Sequence, residues 1–536
     1  MFQLCSPPDE LIMKLRYYQA AAIEAVYQYF RSKTGNPILA LPTGTGKSVI
    51  VAGFIEGVFS AFQGQRILIA THVKELIEQN HEKLLTLWPT APAGIYSASV
   101  GRKDIAPITF VGIQSVSKRA SEFGKVDLIL VDECHTVSDS SNTQYRLFIE
   151  ALKVINPQLK VIGLTATPYR LGQGMLTDGG IFHDICYDLT ERHAFNRLIA
   201  EGYLAPLVSK QTAIQLDVST VAKSGGEYVQ KELQAAVDKA PITAAALEEA
   251  LTLGHDRNHW LVFAAGVEHA QHISDMLNLM GVPSAVVTGD LPKLERERIL
   301  REYKAGKYRA VVNNNVLTTG FDFPGIDMII MLRPTSSPGL WVQMLGRGTR
   351  PHESKKNCLV LDFAGNTRRL GPINDPVIPR KRGKGGGGVA PVRLCPECST
   401  YSHASARVCE QCGYEFPKSI KIEAMASYQS VLADDLPEIV EFDVTSVSYQ
   451  RHEKAGKPPS LRATYLCGLR RFEEWVCLEH PGYAGVKARA WWEERGTTPC
   501  PASVTDALAR LHELHAPAKI RVWINTKHPE IMGYDF

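Results

Sequence analysis

The stretch Leu41-Pro42-Thr43-Gly44-Thr45-Gly46-Lys47-Ser48 closes on Gly-Lys-Ser, the ending of a glycine-rich turn whose backbone N–H groups cradle the phosphates of a nucleoside triphosphate. In such a turn Thr43, Gly44, Thr45 and Gly46 form the cradle, Lys47 neutralises β- and γ-phosphate charge, and the Ser48 hydroxyl ligates Mg2+. Leu41 stands where the motif has its first glycine. The flanks fit the motif. Pro37 to Leu41 reads as a strand and Val49 to Phe62 as a helix, so the N–H groups of a helix start would point at the phosphates. The bland alternative, an exposed lysine in a surface turn, does not explain those flanks. A second constellation, Leu128-Ile129-Leu130-Val131-Asp132-Glu133-Cys134-His135, puts two carboxylates at the end of a buried strand. Beside a phosphate loop, Asp132 is expected to hold Mg2+ and Glu133 to act as the base that orients the attacking water. Alone, an Asp-Glu pair would read as a solvated turn.

A third group has metal spacing. Cys395-x2-Cys398 is followed after ten residues by Cys409-x2-Cys412, two knuckles able to close a tetrahedral Zn2+ site. Four unrelated buried cysteines are the competing reading, but so short and polar a segment has little else to fold around. With four thiolates the site is expected to be structural, without an open position for water.

These residues must be held by a scaffold, and the chain of 536 residues supplies apolar runs for several cores, 45% of it being hydrophobic. Short strands alternate with helical patterns from Leu15 to about Asp188: Ile67 to Ala70, Thr109 to Val111, Leu128 to Val131 and Val161 to Leu164. A second series runs through Trp260 to Ala264, Ser284 to Thr288, Ala310 to Asn313, Met328 to Leu332 and Cys358 to Asp362, with helices such as His269 to Met280 between. The expectation is an α/β fold with two tandem nucleotide-binding domains, over residues 1–215 and 216–370. A basic, glycine-rich linker over 371–392, a zinc-ribbon-like module over 393–420 and an α+β domain over 421–536 follow. In the last, Glu441 to Tyr449, Leu461 to Cys467, Phe472 to Leu478 and Ile520 to Ile524 read as strands, and Ser503 as a helix cap. No apolar run nears the roughly 20 residues that span a bilayer, Met1 to Lys14 lacks signal-peptide character, and eleven cysteines, an odd number, suit a reduced compartment. A cytoplasmic location is expected. The net charge of +3 neither requires nor excludes nucleic acid, which needs only a local basic track.

From Leu15 to Arg350 the chain resembles the superfamily 2 helicases and translocases, in that family's motif order. Leu15-Arg16-Tyr17-Tyr18-Gln19 resembles its adenine-recognising motif, which implies Arg16 and Gln19 at the base. Thr165-Ala166-Thr167-Pro168 resembles the motif coupling hydrolysis to domain movement, and the Asp-Glu-x-His pattern implies a linking role for His135. Leu317 to Asp322 resembles the fifth motif, placing Gly320 and Asp322 near the nucleotide. Gln343-Met344-Leu345-Gly346-Arg347-Gly348-Thr349-Arg350 resembles the sixth, which implies Gln343 in coupling and Arg347 and Arg350 as arginine fingers on the γ-phosphate. Surface ion pairing is the alternative for either arginine. Within the superfamily, Thr71 to His81, Gly163 to Gly172 and Val316 to Asp322 resemble the RadD-type family of bacterial DNA-repair ATPases. That resemblance implies ATP and Mg2+ as cofactors, a zinc segment, DNA as track, a role in repair, recombination or replication, and contact with the single-stranded-DNA-binding protein. The compact four-cysteine cluster and the weakly similar C-terminal domain depart from it.

DNA contacts are expected from loops opposite the nucleotide, with Thr71 capping a helix from Val73 to Leu84, and the Arg380 to Lys384 run is either grip or a solvated charge run. Trp475, Trp491, Trp492 and Trp523 are read as core of the C-terminal domain, with base stacking the alternative. Two rival functions share the motor motifs. One is the motor part of a restriction-type nuclease, for which no Asp…Glu-x-Lys cluster stands beyond residue 370. The other is an ATP-gated recruitment protein that binds a partner without unwinding. An RNA helicase of the Asp-Glu-Ala-Asp type fits less well, since Asp132-Glu133-Cys134-His135 departs from that pattern.

Overall fold

The computed structural model describes residues 15–377 apart from 63, 138–142, 171–173, 225 and 319. It also describes 392–397, 401–403, 408–409, 412–415 and, apart from 455, 469, 497 and 527, 437–536. The Arg380 to Lys384 run lies outside the described residues.

The first domain is an eight-stranded sheet. In chain order its strands are β1 (Pro37–Ala40), β2 (Ile67–Thr71), β3 (Ala93–Ser97), β4 (Arg102–Lys103), β5 (Ile108–Gly112), β6 (Leu128–Asp132), β7 (Lys160–Thr165) and β8 (Asp184–Asp188), and their order in space is β8-β1-β7-β6-β2-β5-β3-β4. Every pairing is parallel except that of β4. Helices cover both faces, which is why β1, β2, β5 and β6 are buried along their whole length and read as continuous apolar runs. Three of these helices position the site: α1 (Tyr17–Ser32), α2 (Lys47–Ala61) and α3 (Lys74–Leu87).

After α4 (Arg192–Ala200) the chain enters the second domain, a six-stranded parallel sheet. Its strands are β9 (Leu207–Ser209), β10 (Trp260–Ala264), β11 (Ser284–Val287), β12 (Ala310–Asn313), β13 (Met328–Leu332) and β14 (Cys358–Asp362), ordered β9-β14-β13-β10-β12-β11. β9 falls inside the span expected for the first domain, yet it pairs with β14. The crossover therefore precedes residue 207 and not 215. One continuous core joins the domains, running from Tyr18 and Leu39 to Phe263 and Trp341.

A short hairpin, β15 (Val392–Leu394) with β16 (Tyr401–His403), precedes the C-terminal domain. That domain holds two three-stranded antiparallel sheets. One orders β17 (Ile439–Asp443) beside β21 (Lys519–Trp523) and β22 (Glu530–Asp535); the other orders β18 (Ser446–His452), β19 (Ser460–Cys467) and β20 (Arg470–Val476). The single strand expected over Glu441 to Tyr449 is thus two, in different sheets. Helices α6 (Tyr483–Glu493) and α7 (Val504–Ala509) close the core, with Ser503 Oγ accepting from Asp506 N at 3.1 Å as the expected cap; the label α5 belongs to Pro338–Leu345 in the second domain. The C-terminal domain docks on the first. α6 packs on α1, the His193 ring of α4 stacks on Trp523 at 5.6 Å, and Glu530 meets His193 at 3.1 Å and Arg197 at 3.4 Å.

Candidate active site

The phosphate-loop sequence lies where β1 hands over to α2. Leu41, the departure from the motif, is fully buried and its N–H donates to Thr165 O at 2.8 Å, so it continues the strand instead of turning. Gly44 (φ 95°) and Gly46 (φ 80°) then take the left-handed backbone that the turn requires. A Cβ on Gly46 would also lie 2.7 Å from Gln19 Nε2. Lys47 is the first residue of α2. The base-reading segment grips this loop from outside: Tyr18 OH and Gln19 Nε2 both donate to Thr45 O at 3.1 Å. Gln19 Oε1 in turn accepts from Arg16 N at 3.0 Å, and the Arg16 guanidinium lies 4.9 Å from the centre of the Tyr203 ring. Tyr203 escaped the sequence reading because nothing local marks it.

β6 delivers Asp132 and Glu133 to the same end of the sheet. Glu133 has φ 50° and ψ 50°, a left-handed conformation costing a non-glycine residue about 1–2 kcal/mol, and it turns the carboxylate towards α2. There Lys47 Nζ meets Glu133 Oε1 at 3.1 Å. Burial would raise the Glu133 carboxyl, but the Lys47 ammonium and His135 overcome it and hold the group well below the usual carboxylate range. Asp132 moves the other way: burial and the neighbouring Glu133 charge push it up. Asn80 ties the two expected Mg2+ ligands together. Ser48 Oγ donates to Asn80 Oδ1 at 2.8 Å, and Asn80 Nδ2 donates to Asp132 Oδ2 at 2.8 Å. Asn80 lies in α3 among residues whose resemblance was noted, but only the fold gives it a role. The hydroxyl and carboxylate, both hard oxygen donors, suit Mg2+.

The second domain closes this site. His135 Nδ1 lies 2.9 Å from Thr165 Oγ1 and 3.3 Å from Glu133 Oε2, while its Nε2 accepts from Gln343 Nε2 at 3.0 Å. Thr167 N donates to Thr165 Oγ1 at 3.0 Å, so all four expected coupling residues form one chain of contacts. Thr349 Oγ1 donates to Thr43 O at 3.2 Å, and a Cβ on Gly346 would lie 2.7 Å from Thr43 Cβ. Arg347 is buried and donates to Phe321 O at 2.6 Å. Among the described residues its Nε has no hydrogen-bond partner, and burial, with Arg350 adding, pulls its guanidinium down to about 9. Arg350 Nε pairs with Asp322 Oδ1 at 2.9 Å. Gly320 behaves differently from the others: its carbonyl accepts from Gln79 Nε2 of α3 at 2.5 Å. Arg350 stands beside the phosphate-loop turn, where a Cβ on Gly44 would lie 3.4 Å from its Cγ, and a buried cation such as Arg347, without a paired carboxylate among the described residues, is a group arranged for an anion.

Residues 12–170 match the family described as "Type III restriction enzyme, res subunit", and residues 243–352 match the "Helicase conserved C-terminal domain". The chain carries a superfamily 2 helicase core. A Saccharomyces cerevisiae protein bearing the name helicase IRC3 is 27% identical over 68% of this chain and 53% of its own length. The DNA 3'-5' translocase XPB2 of Sulfurisphaera tokodaii is 25% identical over 66% of this chain and 81% of its own. The chain thus spans about half the length of the yeast relative. A fragment of an HsdR subunit of a type I restriction enzyme from Vibrio vulnificus shares the fold, with a TM-score of 0.51 at 23% identity over 69% of this chain and 68% of that one.

Beyond this helicase core, the sulfurs of Cys395, Cys409 and Cys412 lie within 4.8 Å of one another, Cys395 and Cys412 at 3.5 Å. Cys398 lies outside the described residues. Cys409 N donates to Tyr414 O at 2.7 Å and Gly413 N to Cys409 O at 2.8 Å, which turns the chain back tightly after Cys409. A cluster of soft thiol donors suits Zn2+. The expected helix cap at Thr71 takes another form: α3 begins at Lys74, and the Thr71 hydroxyl accepts from Val73 N at 3.4 Å. No helix among the described residues is long and apolar enough to cross a membrane.

Proposed function

We propose that the protein is a DNA-dependent ATPase that translocates on or remodels DNA. The observation that carries this reading is the closure of the second domain over the phosphate loop: Thr349 Oγ1 donates to Thr43 O at 3.2 Å, a Cβ on Gly44 would lie 3.4 Å from Arg350 Cγ, and the His135–Gln343 contact bridges the cleft. Thr43, Gly44, Thr45 and Gly46 cradle the phosphates, Gln19 and Arg16 hold the base, and Lys47 leaves Glu133 for the β- and γ-phosphates. Mg2+, held by Ser48 and Asp132, would neutralise phosphate charge. Freed of Lys47, Glu133 orients water and accepts its proton as the water oxygen bonds to the γ-phosphorus. The bond from the γ-phosphorus to the bridging oxygen breaks, leaving ADP and inorganic phosphate. Arg347 and Arg350 meet the charge that develops in that step. Gly320 and Asp322 act indirectly, fixing Gln79 and Arg350.

The name of XPB2 supports DNA as the track. The RadD-type resemblance supports a repair role, a structural zinc module and contact with single-stranded-DNA-binding protein. ATP turnover measured with single-stranded, duplex and forked DNA and with RNA tests the reading: DNA should accelerate turnover, and equal rates with every polymer and with none would refute it. The match to a restriction-enzyme family favours a second reading, a nuclease motor, which Mg2+-dependent cleavage of plasmid would reveal.

A further inference from the structure

The four tryptophans of the C-terminal domain do not share one fate. Trp491, Trp492 and Trp523 are buried, whereas Trp475 is 49% exposed. It stands on the outer face of the β18-β19-β20 sheet, whose inner face packs Leu461, Ala463, Tyr465, Phe472 and Val476 into the core. Strand alternation puts Gln450, Arg462 and Trp475 in one row across the outer face, with Ser448, Thr464 and Glu473 in the next. Arg462 Nη2 donates to Gln450 Oε1 at 2.5 Å, and the His452 ring meets Trp475 edge-on at 6.1 Å. At the Trp475 end, the loop between β18 and β19 exposes Lys454 and Lys457.

We propose that this face is a binding platform for single-stranded DNA, separate from the track across the helicase core, with Trp475 stacking on a base. Charge decides between occupants. Glu453 is neutralised by Arg451 at 2.9 Å and Glu473 by Arg471 at 3.5 Å, with Arg462 4.0 Å from the same carboxylate, so Lys454, Lys457 and Arg462 remain as the surplus. The excess is positive and fits a phosphate backbone. A protein partner would want a continuous apolar patch. The other large exposed apolar side chain of the sheet, Leu466, lies opposite Arg471, four residues along β20 from Trp475, which is about 13 Å at the strand rise. About half of the Trp475 surface is open to a flat ligand, its exposure being 49%.

The test uses the full chain without nucleotide and a fluorescently labelled oligo-dT. Trp475→Ala should weaken binding about tenfold, since stacking on one aromatic ring contributes on that scale. Trp475→Phe should stay within about threefold of the parent but lose most of the quench that oligo-dT produces in intrinsic tryptophan fluorescence. Lys454→Gln with Lys457→Gln should flatten the salt dependence. Basal ATPase and thermal midpoint should be unchanged, because none of these side chains touches the core. Parental affinity in Trp475→Ala, or a parental quench in Trp475→Phe, would overturn the proposal and give the face to a protein or to solvent. A parent that binds oligo-dT through Trp475 while its ATPase ignores DNA would refute the motor and leave the platform standing.

Discussion

Gln343, on a helix of the second domain, donates its amide N–H to His135 Nε2 of the first at 3.0 Å, and His135 in turn lies 2.9 Å from Thr165 Oγ1. This joins the strand bearing the acids to the motif expected to sense hydrolysis. Gln343→Ala should keep basal ATP turnover within a few-fold of the parent but lose most of its acceleration by DNA. Paired rates with and without DNA check this, and full acceleration in the variant would remove the coupling role.

Glu133→Gln should bind ATP and lower turnover on the order of 10²- to 10⁴-fold, because the amide keeps shape while losing the proton acceptor. Lys47→Ala, which removes the partner held at 3.1 Å, should weaken nucleotide binding as well. Nucleotide binding by titration and steady-state turnover on the same preparations separate the two effects.

Arg347→Ala or Arg350→Ala should depress kcat by about 10³-fold or more with little change in ATP affinity, as for an interaction formed mainly in the transition state. A fragment ending at residue 205 should be nearly inactive. Full activity from that fragment would show that the cleft is not needed.

The thiol cluster gives a chemical prediction. Cys395→Ser with Cys409→Ser should abolish bound zinc while leaving basal ATPase, because Lys47, Asp132, Glu133, Arg347 and Arg350 are untouched. Elemental analysis beside the ATPase assay reads both. Parental zinc content would refute the ligand assignment.

Acid should loosen the second domain through His269. The side chain is fully buried, its Nδ1 accepts from Ala265 N at 3.3 Å, and burial pulls it down to about 4, with His272 adding to the shift and Asp238 opposing it. The unfolded chain, with an imidazole near 6.5, takes up the proton first. The contribution is therefore complete above about pH 6.5 and is lost as pH falls towards 4, by up to about 1.4 kcal/mol per pH unit. Thermal midpoints between pH 7.5 and 5 should fall, and less steeply in His269→Gln. Equal slopes would assign acid sensitivity elsewhere.

The sequence by itself determined the parts that are local. Gly44 and Gly46 sit at positive φ because the turn admits little else, and Asp132 ends a strand whose apolar run is legible without a partner. Continuous apolar runs likewise marked β1, β2, β5, β6 and β7 of the first sheet and β10 to β14 of the second, since a parallel strand buried on both faces reads that way, whereas β3, β4, β8 and β9 were not legible as strands. Tertiary structure decided what depends on distant segments meeting. Asn80 links Ser48 to Asp132 only because α3 passes β6, and β9 joins the second sheet only because β14 offers its edge. Trp475 and Trp491 look alike in sequence, but Trp475 stands on the outer face of a sheet while Trp491, on α6, is buried in the core beneath it. Strand alternation can divide residues between two faces, but which face meets solvent is fixed by what packs against the sheet, and short-range pattern carries no record of that.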